Sequence, residues 1–109
     1  MTQQDIIMLG HGSGGLMASK LLQDVLFQIF QDVQPTDGAV LQIPPRQQPV
    51  FTTDSYVVKP LFFPGGNIGK IAVNGTVNDL AMMGATPAYL SVGFILEEGF
   101  KMADFITIC

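Results

Sequence analysis

The run Val50-Phe51-Thr52-Thr53-Asp54-Ser55-Tyr56-Val57-Val58 sets one carboxylate in the middle of a β-prone, half-apolar stretch. β-Branched and aromatic residues favour a pleated, half-buried surface, and a charge on such a surface is costly unless something pairs with it. With the two-residue period of a strand, Asp54 shares a face with Thr52 and Tyr56, not with Thr53 or Ser55. The simplest partner for several converging carboxylates is a divalent cation. The competing reading is an edge-strand charge that keeps the strand from pairing with another chain. The cation reading is preferred because two further segments carry chemistry of the same kind.

The first of these is Asn78-Asp79, inside a helix that the pattern Ile68, Ile71, Ala72, Leu80, Met83 predicts over residues 68–83. Gly75 lies one turn before Asp79, and Asn74 one turn before Asn78, so small and polar residues share one edge. Each of these residue types sits below alanine in helix propensity by roughly 0.5 to 1 kcal/mol, a cost that implies a site. A solvated polar edge is the plainer alternative. The second segment is Gly10-His11-Gly12-Ser13-Gly14-Gly15, with four glycines in six positions ahead of a helix that starts near Leu16. Its amides can approach an anion closely, so Gly12, Ser13, Gly14 and Gly15 are candidate phosphate binders. Taken alone the segment is equally a flexible turn, since it is neither a Walker loop nor a dinucleotide fingerprint. His11 is a candidate phosphate donor or proton carrier, or a loop histidine without a role. The three segments together point to a nucleotide held with a metal.

The chain has 109 residues, the length of one domain, and is 48% hydrophobic but only 13% charged. A domain this small buries little more than half of its unfolded surface, so a large apolar face is expected to meet a second copy, giving a homodimer. Nine acids against five bases give a net charge of -4 with no cluster of lysine or arginine, which argues against a nucleic-acid partner. The uncharged stretch 80–96 contains Gly84, Pro87 and Gly93 and falls short of the roughly 20 residues a membrane span needs. It reads instead as helix end, turn and buried strand. No signal-peptide pattern opens the chain, so the cytoplasm is the expected location. A single cysteine fits a reducing compartment.

Along the chain, residues 5–9 form a strand candidate. Leu16, Met17, Leu21, Leu22, Val25, Leu26, Ile29 and Phe30 recur at helical spacing. A breaker at 34–38 precedes a strand over 39–43, and a loop over 44–49 leads into the acid-bearing strand 50–58, antiparallel to its predecessor. Residues 59–67 are expected as loop, 84–87 close the second helix, 88–96 form the most hydrophobic strand, and a further helix begins at Met102. The fold class expected is α/β, a mixed and largely antiparallel sheet flanked by helices. Met82, Met83 and Met102 read as core fillers. The chain reaches Cys109 inside the last helix without a stop signal, so a longer parent chain is expected; Cys109 itself has no base near it in sequence and is read as inert.

Four blocks carry a resemblance: His11-Gly12-Ser13-Gly14-Gly15, the run 51–58, Pro60-Leu61-Phe62-Phe63-Pro64-Gly65-Gly66, and Val73-Asn74-Gly75-Thr76-Val77-Asn78-Asp79-Leu80-Ala81-Met82-Met83-Gly84-Ala85. In this order they resemble the amino-terminal domain of the HypE family of hydrogenase maturation factors. That family lies in the superfamily of aminoimidazole ribonucleotide synthetase, selenophosphate synthetase and thiamine-monophosphate kinase. The resemblance implies an α/β domain that dimerises through its sheet into a barrel-like core, with ATP and Mg²⁺ near the dimer interface. It places metal ligands at Asp54 and Asp79, with Asp37 a weaker match, puts Asn78 beside them on the nucleotide, and folds the glycine segment over the phosphates.

For the parent protein the resemblance implies an ATP-dependent dehydratase. It converts a carbamoyl group on a carboxy-terminal cysteine to thiocyanate, the source of the cyanide ligand of a nickel-iron centre. Implied partners are a carbamoyl-transferring maturation factor and an iron-cyanide assembly complex. The family's acceptor cysteine ends a chain roughly three times longer, so Cys109 does not match it, and this stretch alone is expected not to turn over. Two alternatives stand beside this reading. One is a sister enzyme making selenophosphate or a thiamine phosphate, disfavoured for selenium because that chemistry needs a reactive cysteine or selenocysteine with a lysine in the glycine segment, which here has His11 and Ser13 and no cysteine. The other is a non-enzymatic dimerisation module.

Overall fold

The structure, a computed structural model, describes residues 5–109. The chain divides into two compact units, one made of the residues up to Ala39 with Gly93–Thr107 and Cys109, the other of Val40–Val92 with Ile108.

In the first unit, residues 5–7 lie against residues 99–102. Ile6 and Lys101 form an antiparallel bridge, and the Ile7 and Met102 amides donate to the Phe100 and Asp5 carbonyls at 2.7 and 2.9 Å. Gly99 makes the turn possible with φ +86°, in the left-handed region that side chains disfavour. The strand expected at 5–9 is thus one bridge long, and Leu9–Gly12 winds into a 3₁₀ helix. The expected first helix is present in three pieces: α1 (Leu16–Leu21), a π-helical turn (Leu22–Leu26) and α2 (Phe27–Ile29). The helix α4 (Met102–Ile108) sends Phe105 into a small core with Ile7, and Phe94 meets the Phe105 ring edge-on at 5.0 Å.

The second unit is organised by a hairpin and a helix. Strands β1 (Phe62–Phe63) and β2 (Gly66–Asn67) pair antiparallel across Pro64-Gly65. Proline presets the first turn position and Gly65, at φ +91°, takes the second. Helix α3 (Ile68–Met82) follows at once. Asn67 caps it by accepting from the Lys70 amide at 3.1 Å, and the Lys70 ammonium reaches back to the Gly65 carbonyl at 2.9 Å. At the other end Gly84 (φ +70°) donates to Ala81 and Ala85 donates to Leu80, the paired bonds of a Schellman stop. Near the hairpin-distal part of the unit, the Tyr89 hydroxyl binds both backbone groups of Gln42, at 2.9 and 3.1 Å.

The helices and an antiparallel pair bear out an α/β class, but the sheet is much smaller than expected. Residues 39–43, 50–58 and 88–96 form no ladder among the described residues. Composition biases a segment towards the pleat, whereas a ladder needs a non-local partner. The apolar side chains of these segments stand open: Val57 is 98% exposed, Val40 88% and Phe51 84%. Met82 and Met83, expected in the core, are exposed as well. The hairpin at 62–67 fell inside a stretch read as loop; the aromatic pair before Pro-Gly was its local signal.

Candidate functional site

In the second unit the acid-bearing segment borders α3 around a cavity of about 100 Å³, lined among others by Thr52, Asp54, Thr76, Leu80 and Ser91. Thr76 and Leu80 are one turn apart on α3, so one helix face forms that wall. Along the segment Thr52, Tyr56 and Val58 are half-buried while residues 53, 55 and 57 are exposed, as a period of two requires. Asp54 lies in the same register but is exposed, not half-buried, and its carboxylate accepts from the Ser55 amide at 2.7 Å. Asn78 and Asp79 are also exposed, on the α3 turn between Thr76 and Leu80, and are not among the residues lining the cavity.

One contact joins these two elements. A Cβ built on Gly75 would run into the Tyr56 hydroxyl and stand 2.9 Å from Tyr56 Cζ and 3.1 Å from Cε1. The Tyr56 ring therefore rests on the bare helix backbone one residue before Thr76. Sequence reasoning picked out Gly75 as a small residue on the site edge but assigned Tyr56 no part.

In the first unit, the glycine segment is held more firmly than its composition suggests. His11 Nδ1 accepts from the Met8 amide at 2.8 Å, the His11 amide donates to Met8, and Ser13 Oγ donates to the Gly10 carbonyl at 2.9 Å. Because Nδ1 accepts, the neutral ring carries its proton on Nε2, which is the nitrogen left to donate to a ligand. Gly12, Ser13, Gly14 and Gly15 are all exposed, and Gly14 takes φ +75°. Asp37 is exposed too, in a turn where Thr36 Oγ1 donates to the Gly38 carbonyl at 2.8 Å. The Cys109 thiol is half-buried, and burial pushes its pKa up.

Among the described residues no three His, Cys, Asp or Glu side chains form a group that could hold a metal by themselves. Magnesium does not need one: it is commonly bound by one or two carboxylates, with phosphate oxygens and water completing its shell. Exposed Asp54 and Asp79 are hard oxygen donors of that kind, so the donor chemistry suits the ion.

Residues 35–108 match the model of the AIR synthase related protein family, N-terminal domain. The chain is 48% identical over 99 residues to the carbamoyl dehydratase HypE of Cupriavidus necator, covering 88% of this chain and 28% of that protein. It is 48% identical over 103 residues to the carbamoyl dehydratase HypE of Escherichia coli, covering 88% and 31%. The hydrogenase expression/formation protein HupE of Azotobacter chroococcum is 48% identical over 101 residues, covering 90% and 29%. The chain thus spans less than a third of the length of these curated relatives. No solved structure matches it. No helix among the described residues is long and apolar enough to cross a membrane. The chain belongs to the AIR synthase related family, as an amino-terminal domain of the HypE type.

Proposed function

We propose that this chain is the nucleotide-binding and dimerisation domain of a longer cytoplasmic enzyme, an ATP-dependent carbamoyl dehydratase that makes thiocyanate on a cysteine outside this stretch. The observation that carries the proposal is the coincidence of two facts. The family match over residues 35–108 contains Asp37, Asp54, Asn78 and Asp79, and α3 sets its Thr76–Leu80 face beside the Asp54 segment. The relatives named as carbamoyl dehydratases supply the reaction. In the same reading the domain works as a homodimer and serves a carbamoyl-transferring factor and an iron-cyanide assembly complex.

The chemistry is electrophilic activation of an amide. ATP phosphorylates the carbamoyl oxygen, the nitrogen gives up its two protons, and the oxygen departs as phosphate, leaving S–C≡N and ADP. When bound, Mg²⁺ supplies neutralisation of charge on the transferring phosphoryl group. Asp54 and Asp79 would hold it, with Asp37 as a further ligand, and Asn78 would orient the nucleotide. Gly12, Ser13, Gly14 and Gly15 would give donors to the phosphate oxygens, joined by His11 through Nε2–H. This division of labour assigns anions to the metal and amides to the phosphates, as the exposed groups of each segment allow.

Calorimetry with Mg-ATP tests it, alongside dehydration assays of the whole protein. Asp54→Asn and Asp79→Asn each remove one negative charge from the proposed magnesium shell. Each is expected to lower turnover by at least a hundredfold, about 2.7 kcal/mol at 1.36 kcal/mol per tenfold, with circular dichroism unchanged. Turnover near normal in either variant removes that residue from the site. The absence of any magnesium-dependent nucleotide heat returns the domain to a scaffold.

A further inference from the structure

The contact between Tyr56 and Gly75 ties the acid segment to the helix of the Asn-Asp pair. Tyr56 lies two residues after Asp54, in the same two-residue register of the segment, with Tyr56 half-buried and Asp54 exposed. Gly75 lies four residues before Asp79, one helical turn. The ring sits where a side chain on residue 75 would be, with the hydroxyl as the nearest atom and Cζ 2.9 Å from the built Cβ. Glycine in a helix interior is unfavourable relative to alanine, so the position is explained by what it admits. Of the two glycines in α3, Gly69 faces the Ile108 carbonyl and only Gly75 faces the Tyr56 ring, which can reach the helix backbone this closely only where no Cβ intervenes.

We propose that Tyr56 is a positioning residue whose ring, seated on α3 at Gly75, sets the register between the segment bearing Asp54 and the turn bearing Asn78 and Asp79. The proposal rests on the metal-nucleotide reading of those residues and adds the element that holds them. Two acids on separate elements share one cation only if their separation is fixed, and residues that orient ligands typically change metal affinity 10- to 100-fold when removed. A ring with two rotatable bonds, clamped between its own segment and a helix backbone, fixes that separation at little entropic cost.

The test combines stability and metal binding in the whole protein. An alanine at an unobstructed helix position raises stability, whereas one under the Tyr56 ring lowers it. Gly75→Ala is therefore expected to lower the urea midpoint when Tyr56 is present and to raise it in a Tyr56→Ala background. Calorimetry of ATP binding at varied magnesium reads the positioning role, which a purely structural contact would leave unmoved. Tyr56→Ala and Gly75→Ala are each expected to raise the half-saturating magnesium concentration about tenfold. Tyr56→Phe, which keeps the ring on the helix, is expected to stay within about twofold of the unsubstituted protein on the same basis. The double variant is expected to be no weaker than the worse single one, because both changes break one contact.

Magnesium dependence unchanged in folded Tyr56→Ala overturns the proposal while leaving the site reading intact. No magnesium-dependent heat in the unsubstituted protein overturns both, and the reversal of sign in the urea midpoints then shows a seat with no site to serve. Should Gly75→Ala fail to fold, Tyr56→Ala adds no atom to the helix and decides the question by its magnesium dependence alone.

Discussion

Gly14 and Cys109 show how single residues constrain the chemistry on offer. Gly14 holds φ +75°, a conformation that costs a residue with a Cβ about 1 to 2 kcal/mol. A Cβ there would meet nothing within 4 Å, so the obstacle is the backbone and not the space. Gly14→Val is therefore expected to distort the glycine segment and weaken nucleotide binding by roughly tenfold, the equivalent of about 1.4 kcal/mol, without dissociating a dimer. Calorimetry and sedimentation measured on the same samples check both halves. Cys109 is different: desolvation raises its pKa, so near neutral pH it offers less thiolate than an open cysteine. It is expected to react with iodoacetamide at pH 8 several-fold more slowly than the same cysteine in urea, as an alkylation time course would show. The linkage has a definite sign. The unfolded thiol ionises first, so the folded state loses stability as pH rises past the usual thiol value, and Cys109→Ala should flatten that slope.

At the scale of elements, α3 is secured at both ends by its own sequence. The Asn67 side chain satisfies a free amide of the first turn, and the left-handed Gly84 closes the last turn, its amide donating to Ala81 and that of Ala85 to Leu80. Asn67→Ala is expected to cost about 1 kcal/mol, and Gly84→Ala a similar amount because the left-handed position then carries a Cβ. Urea denaturation followed at 222 nm checks each, and the two effects should add, since the ends share no partner. This locality is why α3 was readable from sequence to within one residue, 68–83 expected and Ile68–Met82 found. The hairpin before it was equally local, yet its strands are two residues each, too short for any periodicity to register. Residues 50–58 are the opposite case. Their alternation is written in the sequence and survives as half-burial at Thr52, Tyr56 and Val58, but no sequence pattern names the strand that would pair with them. The same division holds for the site. Asp54, Asn78 and Asp79 stood out because each breaks a local rule, an acid in a β-prone run and weak formers in a helix. Tyr56 breaks none, for an aromatic belongs in such a run, and only the bare backbone opposite it at Gly75 gives it a role.

For the whole molecule, the decisive quantity is apolar surface left in water. Only Ile7 and Phe105 are buried hydrophobics among the described residues, while Leu9, Val40, Phe51, Val57, Met82 and Ile95 are each at least three-quarters exposed. At roughly 25 cal/mol per Å², covering a side chain of this size contributes about 1.5 to 3 kcal/mol, so even a few of them outweigh a moderate cost of association. A second copy is the partner that one gene supplies, and segments with unpaired backbone groups beside open apolar side chains invite pairing of strand to strand. The domain is accordingly expected to sediment at twice its 11.7 kDa at tens of micromolar. Val57 is open to solvent over nearly its whole side chain, so Val57→Asp loses no packing within the chain and adds a charge only to a face that a partner would cover. The variant should keep the helical circular dichroism of α3 and α4 while shifting the equilibrium towards monomer by at least tenfold, consistent with a cost of about 1.4 kcal/mol or more for an unpaired charge in an apolar interface. A single species near 12 kDa for the unsubstituted domain would defeat the dimer, and an unshifted equilibrium in Val57→Asp would move the interface away from the acid-bearing segment.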